Sequence, residues 1–262
     1  MSREKGQPTV TALQRGLEVL RCFDYGRQSL GSSEIARITG LPQPTVWRLC
    51  KTLEQEGYLV ADGAAARFRP GLAVLTLGYA ALGTLDLAEL ARPHLQAIAD
   101  RFEGAAGLST RDRLSMLYLQ RCEAATAFLK VNLRVGSEIA IAHTGTGWGY
   151  LAGLAAPARE LLAEELRKGT PDQWRRGEKP FRKAFEDYAR TGYIVNIDTF
   201  FNGLTTIATP VGGAGMLYVL NCTVMSTMLD TDKRRREAGH ALLDVAKKLA
   251  PVLERGVARA AR

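Results

Sequence analysis

The stretch Gly40 to Val60, GLPQPTVWRLCKTLEQEGYLV, sets two prolines ahead of a run whose apolar residues keep a helical period. Pro42 and Pro44 are tolerable only in a turn and a first helical turn, where their missing N–H groups have no helical partner to lose. From there Val46, Leu49, Cys50 and Leu53 recur at i, i+3, i+4 and i+7, the buried stripe of an amphipathic helix. The opposite face carries Gln43, Thr45, Trp47, Arg48, Lys51 and Gln55, rich in donors and free of acids until Glu54. Upstream, SLGSSEIARITG offers Ser32 or Ser33 as an N-cap, Ile35, Ala36 and Ile38 as an inward face, and Gly40 as a stop. Further upstream, TVTALQRGLEVLRCF puts Val10, Leu13, Leu17, Leu20 and Cys22 on helical spacing and stops near Gly26. Two short helices joined by a tight glycine-containing turn, the second with a donor-rich face, predict a helix-turn-helix.

The residues that follow complete the module. Tyr58 to Val60 and Arg67 to Arg69 read as two strands around a turn at Asp62–Gly63, a wing. Strand alternation turns Phe68 inward and Arg67 and Arg69 outward, toward a backbone phosphate or the minor groove. The predicted partner is double-stranded DNA, with the second helix in the major groove. The residues expected to touch it are Ser33, Gln43, Pro44, Thr45, Trp47, Arg48, Lys51, Arg67 and Arg69. The competing reading is a winged module that binds protein alone. Residues 1–78 carry ten basic against seven acidic side chains, a modest excess, but the basic ones gather on the proposed helix and wing.

The whole chain agrees with that partner. Its 262 residues favour two domains, and its net charge of +8 suits an anionic ligand. There is no apolar run of membrane-spanning length and no apolar core of a signal peptide in MSREKGQPTV, so a cytoplasmic protein is the expectation. Cys22, Cys50, Cys122 and Cys222 are scattered, without CxxC pairing or a histidine at ligand spacing. They predict buried thiols, not disulfides or zinc.

LAVLTLGYAALGTLDLAELARPHLQAIADRF is strongly helical, with a break expected at Gly83–Thr84, a cap at Asp86 and a kink or new start at Pro93. Leu72, Leu75 and Leu77 are expected to pack on the winged module. Leu85, Leu87, Leu90, Leu95 and Ile98 exceed what a lone linker helix can hide, and a dimer contact explains them economically. A two-fold protein would also suit a palindromic operator. The expected boundaries are 1–78 for the winged domain, 79–103 for the linker helix and 104–262 for a second domain.

After Gly104 the texture becomes α+β. AAGLSTRDRLSMLYLQRC reads as two strands with a turn at Arg111–Asp112–Arg113, and TAFLKVNL as a third. RVGSEIAIAHTGTGWGYLAGL passes from a loop into a helix, and APARELLAEEL and KPFRKAFEDYARTG are helices. Strands follow at Tyr193–Asn196, Leu204–Val211 and Met216–Val224, with a hairpin turn at Gly212–Gly215 and a last helix from about Asp232 to Val257. No nucleophile, metal cluster or paired-carboxylate motif stands out, so neither an enzyme nor a cofactor is expected. GTGWG, Gly145 to Gly149, lacks the lysine of a Walker loop and the βαβ setting of a dinucleotide fold, and reads as a tight loop into a helix. Lys233 to Arg236 open the last helix as a solvated face or a second DNA contact. Asn221 and Thr223 share one strand face, and Thr206 and Ala208 alternate with Thr205, Ile207 and Thr209. Such groups either satisfy one another or line a small polar ligand pocket.

Taken together the chain resembles the IclR family of bacterial transcriptional regulators along nearly its whole length. GLPQPTVWRLCKTLEQEGYL is similar to the family's GLPxSTVxRLLxTLxxxGYL, and RFRPG to its wing-end Y-x-L-G. VGSEIAIAHTGTGWGYLA resembles VGxxxPLHATAxGKAxLA, and TGYIVN with NGLTTIATPV resembles QGYAxD with xGxxxIAAPV. The resemblance implies a GAF-like effector-binding and oligomerisation domain with an antiparallel sheet, homodimers often paired into homotetramers, and a small carboxylate or aromatic metabolite that alters operator binding. It carries the effector role onto Gly145, Thr146, Gly147, Trp148, Asn196, Thr206, Asn221 and Thr223. This chain departs from the pattern at Pro44, where the family has a helix-start serine. It departs again at Trp148 and Ala142, which replace a lysine and a histidine, and at Asn196, where an acid often stands. Trp148, with Phe200, Phe201 and Tyr218 near the pocket strands, would narrow the site or favour a flat aromatic ligand.

Overall fold

The computed structural model describes residues 9–24, 26–63, 66–82, 86–127, 132–213 and 216–260, which fall into two units, Met1–Thr84 and Leu85–Arg262. The first runs α1 (Thr11–Leu20), β1 (Leu30–Gly31), α2 (Ser32–Thr39), α3 (Gln43–Gln55), β2 (Leu59–Ala61), β3 (Arg67–Pro70) and α4 (Leu72–Leu82). α2 ends at Gly40, whose φ of +70° only glycine adopts at no steric cost. α2 starts at Ser32 with no hydroxyl cap. Instead the Glu34 carboxylate accepts the Gly31 N–H at 2.7 Å. β1 pairs with β3 and β3 with β2, all antiparallel, so a two-residue strand unseen in the sequence stitches α2 to the wing. Val19, Cys22, Leu30, Ile35, Val46, Cys50, Leu59 and Phe68 form the core.

Several apolar residues escape that core. α1 buries Gly16 and Val19, while Val10, Leu13 and Leu17 on its expected inner face are exposed, as is Ile38. Leu72, at 80% exposure, and Leu75 and Leu77 do not pack on the winged module as expected. A periodic stripe identifies an apolar face but not what covers it.

The second unit runs α5 (Asp86–Phe102), β4 (Ala105–Asp112), β5 (Ser115–Glu123), β6 (Glu138–Ala140), α6 (Gly145–Gly153), α7 (Ala156–Gly169), α8 (Pro171–Thr191), β7 (Ile194–Ile197), β8 (Leu204–Gly213), β9 (Met216–Met225), a 3₁₀ turn Ser226–Leu229 and α9 (Asp232–Ala260). The six strands make one antiparallel sheet in the order β6-β5-β4-β9-β8-β7. One face is covered by α5 and α9, where Leu95, Ala99, Leu220, Cys222 and Leu242 meet. The other is covered by α6, with α7 and α8 outside it, around Trp148, Leu151, Leu166 and Val219. Helices on both faces of an antiparallel sheet confirm the α+β reading. β6 lies in the expected loop before α6; the strand expected at TAFLKVNL and the break at Gly83–Thr84 fall mostly outside the described residues, as does the tip of the β8–β9 hairpin.

α5 corrects the reading of the connector. It occupies most of 79–103 and passes through Pro93 as one helix. Leu87, Leu95 and Ile98 are buried against this chain's own sheet and α9, so they give no argument for a dimer; Leu90 alone of the described set is exposed. α8 likewise starts at Pro171 and runs through Pro180, earlier than KPFRKAF suggested.

Candidate functional site

In the first unit, α3 opens on Pro42 as N-cap with Pro44 in its first turn, and Val46 and Cys50 pin its inner face. Burial raises the Cys50 thiol to about 11, which keeps it protonated and inert. The opposite face is thereby fixed toward solvent, with Gln43, Pro44 and Arg48 exposed and Thr45 half-buried. Trp47 is 39% exposed, its ring tilted on Phe68 at 5.7 Å, so α3 and the wing are joined through that aromatic pair. Lys51 is ion-paired with Glu54 and lies 5.8 Å over the Trp47 ring. Ser33 is exposed on the first turn of α2, and its neighbour Ser32 is buried, accepting from Gln43 Nε2 at 3.1 Å.

The two wing arginines differ. Arg69 is exposed on β3. Arg67, expected to point outward, is turned back. Its Nη1 meets Glu34 at 2.9 Å, its Nε meets Ser29 Oγ at 3.1 Å, and its Nη2 meets the Ser29 carbonyl at 2.6 Å. Glu34, held below its usual range first by the Gly31 N–H and then by Arg67, joins the cap of α2 to the wing. The partner lies 33 residues away in sequence, so no local pattern could announce it.

In the second unit the strand register gathers four of the expected effector residues on the α6 face. Asn196 faces Thr206, Thr206 faces Thr223, and Ala208 faces Asn221. Thr206 Oγ1 and Thr223 Oγ1 are 2.9 Å apart, Asn221 Nδ2 donates to Thr223 Oγ1 at 3.3 Å, and Asn196 Nδ2 donates to the His143 carbonyl at 3.3 Å. GTGWG is the start of α6, capped by Thr144, whose hydroxyl accepts the Gly147 N–H at 3.0 Å. Its glycines exist for close approach. A Cβ on Gly145 would stand 2.7 Å from Thr206 and 3.0 Å from Asn196 Cβ, and one on Gly147 2.3 Å from the Ile141 backbone. Thr146 and Trp148 are buried, and Trp148 Nε1 donates to the Ala142 carbonyl at 3.1 Å. Trp148 therefore serves the core. Tyr218 turns to the opposite sheet face, while Phe200 lies 5.8 Å from the His143 ring.

Three buried polar atoms near this face make no hydrogen bond among the described residues: Asn221 Oδ1, Ser109 Oγ and His143 Nδ1. Sequence reading missed Ser109, which ends the buried half of β4. Burial, with Arg176 second, lowers the His143 pKa and favours its neutral form. The Lys233–Arg236 run divides its labour. Arg234 and Arg235 donate to the carbonyls of Met228, Leu229 and Asp230, fastening the 3₁₀ turn, and Arg236 is exposed. Among the described residues no group of three or more His, Cys, Asp or Glu could hold a metal ion, and no helix is long and apolar enough to cross a membrane.

Comparison with known proteins bears on both units. Residues 12–63 match the family model for the IclR helix-turn-helix domain, and residues 79–250 that for the bacterial transcriptional regulator IclR C-terminal domain. The chain is 33% identical over 243 residues to the HTH-type transcriptional regulator TsaQ1/TsaQ2 of Comamonas testosteroni, spanning 92% of this chain and 87% of that one. It is 29% identical over 203 residues to the Pca regulon regulatory protein of Pseudomonas putida, spanning 77% and 69%. The crystal structure of an IclR family transcriptional regulator from Brucella abortus superposes with a TM-score of 0.82 at 33% identity, over 95% of each chain. The fold is shared by an IclR homolog from Microbacterium hydrocarbonoxydans complexed with 4-hydroxybenzoate, at a TM-score of 0.72 and 20% identity over 92% of this chain and 98% of that one. The matched families are of transcriptional regulators, not of enzymes.

Proposed function

Because the chain belongs to the IclR family of DNA-binding transcriptional regulators, we propose that α3 enters an operator's major groove and that Arg69 holds the flanking backbone. Gln43, Thr45 and Arg48 meet base edges or phosphates there, with Ser33 and Pro44 beside them. Trp47 and Lys51 shape the surface, and Arg67 positions the wing. The observation that carries this reading is the exposed donor face of α3, clamped from behind by Val46 and Cys50 and from the side by the Trp47–Phe68 pair. Arg48→Ala tests it. Operator affinity in a mobility-shift titration should fall by about 1–3 kcal/mol, and unchanged affinity would refute the assignment.

The apolar side chains left on α1 and α4 support a homodimer reading inverted half-sites, and pairing of dimers would give the family's tetramer. The protein would work in the cytoplasm, where the operator is. The second unit takes a small effector, a carboxylate or aromatic metabolite, at the face formed by Asn196, Thr206, Asn221, Thr223 and the Gly145–Trp148 turn. The unpartnered Asn221 Oδ1 and Ser109 Oγ favour that reading. The glycine-close packing of α6 on β8 favours a second one, in which this unit only oligomerises. A thermal-shift panel of 4-hydroxybenzoate and small carboxylates separates them: a specific rise that Asn221→Leu removes supports the effector, and no rise with any of them supports oligomerisation alone.

A further inference from the structure

A cleft of about 680 Å³ lies along the free edge of β7 and reaches Trp148 of α6 at one end. α8 forms one wall and the first turn of α9 the other, and the floor is the strand itself, where Tyr193, Val195 and Ile197 line the cleft. The Asp198 N–H donates to the Leu204 carbonyl at 2.9 Å. Even-numbered residues of β7 therefore turn their backbone groups to β8, and odd-numbered ones turn theirs to the cleft. The Thr191 hydroxyl takes both groups of Tyr193, at 3.4 Å and 2.9 Å, and Thr199 Oγ1 takes the Ile197 carbonyl at 3.2 Å. Among the described residues, the N–H and C=O of Val195 and the N–H of Ile197 are left without a partner on that side, the pattern that an added strand satisfies.

The walls set the charge of that strand. Lys183, Arg190, Arg235 and Arg236 face the cleft against Asp187 and Asp232. Arg190 is paired with Asp187 at 2.6 Å and Arg235 with Asp232 at 3.0 Å, while exposed Lys183 and Arg236 are in no ion pair among the described residues. Two spare cations flank a short open strand edge. A second copy of this chain would bring the same cations against them, which like-charge repulsion disfavours. We propose that the β7 edge is a docking site for an extended acidic segment of a partner protein, which adds as a strand between α8 and α9 and pairs its carboxylates with Lys183 and Arg236.

Full-length protein and a fluorescein-labelled octapeptide of alternating glutamate and valine test this by anisotropy at low salt. The acidic peptide should bind, its lysine-for-glutamate counterpart should bind at least about tenfold more weakly, and added salt should weaken it. Lys183→Glu with Arg236→Glu should weaken the acidic peptide at least about tenfold, both side chains being exposed and the fold checked by circular dichroism. Methylating alternate backbone nitrogens of the peptide should abolish binding, because it removes the strand hydrogen bonds. No binding of the acidic peptide, equal binding of the methylated one, or equal competition by free succinate would overturn the proposal. So would a loss of binding on Arg48→Ala that the Lys183→Glu/Arg236→Glu variant does not reproduce.

Discussion

Individual side chains divide here between those held by the fold and those left to act. Arg67 and Arg69, two positions apart on one strand, are the sharpest pair. Arg69→Ala should weaken DNA binding nearly uniformly across sequences and reduce the slope of log affinity against log salt by about 1, since a phosphate contact is lost. Arg67→Ala should instead lower the melting temperature, because Glu34 and Ser29 lose their partner. A melting temperature unchanged by Arg67→Ala would contradict the network described above. His143 gives a pH signature. Its folded pKa lies below the unfolded value of about 6.5, so the unfolded chain binds the proton first. Stability contributed by neutral His143 is complete above that value and is lost as pH falls below it. Urea titrations between about pH 7.5 and 5 should show a fall in unfolding free energy that is smaller in His143→Gln.

At the scale of elements, the contact between α6 and β8 depends on the missing side chain of Gly145. Gly145→Ala should destabilise by about 1–3 kcal/mol in chemical denaturation, since its methyl group would overlap Thr206 and the helix gains little propensity at its first residue. A neutral effect would mean that α6 moves freely against the sheet. The elements also show what the sequence disclosed. α3 was legible because one stripe, Val46, Leu49, Cys50 and Leu53, meets one core, and Phe68 was legible because strand alternation leaves it a single choice. The burial of Leu87, Leu95 and Ile98 within the chain was not legible, because a helix bound for its own sheet carries the same stripe as one bound for a partner. β1 and β6 are too short for a period of two to register, and the role of Gly145 in GTGWG depends on Asn196 and Thr206 in distant strands, which spacing within the motif cannot reveal.

For the molecule as a whole, the apolar side chains exposed on α1 and α4 are the largest departure from a self-sufficient monomer. Leu72→Glu with Leu75→Glu should shift sedimentation toward monomer and weaken binding to a two-half-site operator more than to a single half-site. Equal sedimentation of variant and parent would place the dimer contact elsewhere. The close packing of the α6 N-terminus on Thr206 has a kinetic consequence as well. A small molecule bound at Thr206 beneath α6, as proposed above, would have to wait for the helix to lift. In stopped-flow traces the observed association rate should therefore level off as concentration rises, with the plateau reporting the opening rate of the helix, and Gly145→Ala should raise that plateau by prising the gap apart beforehand.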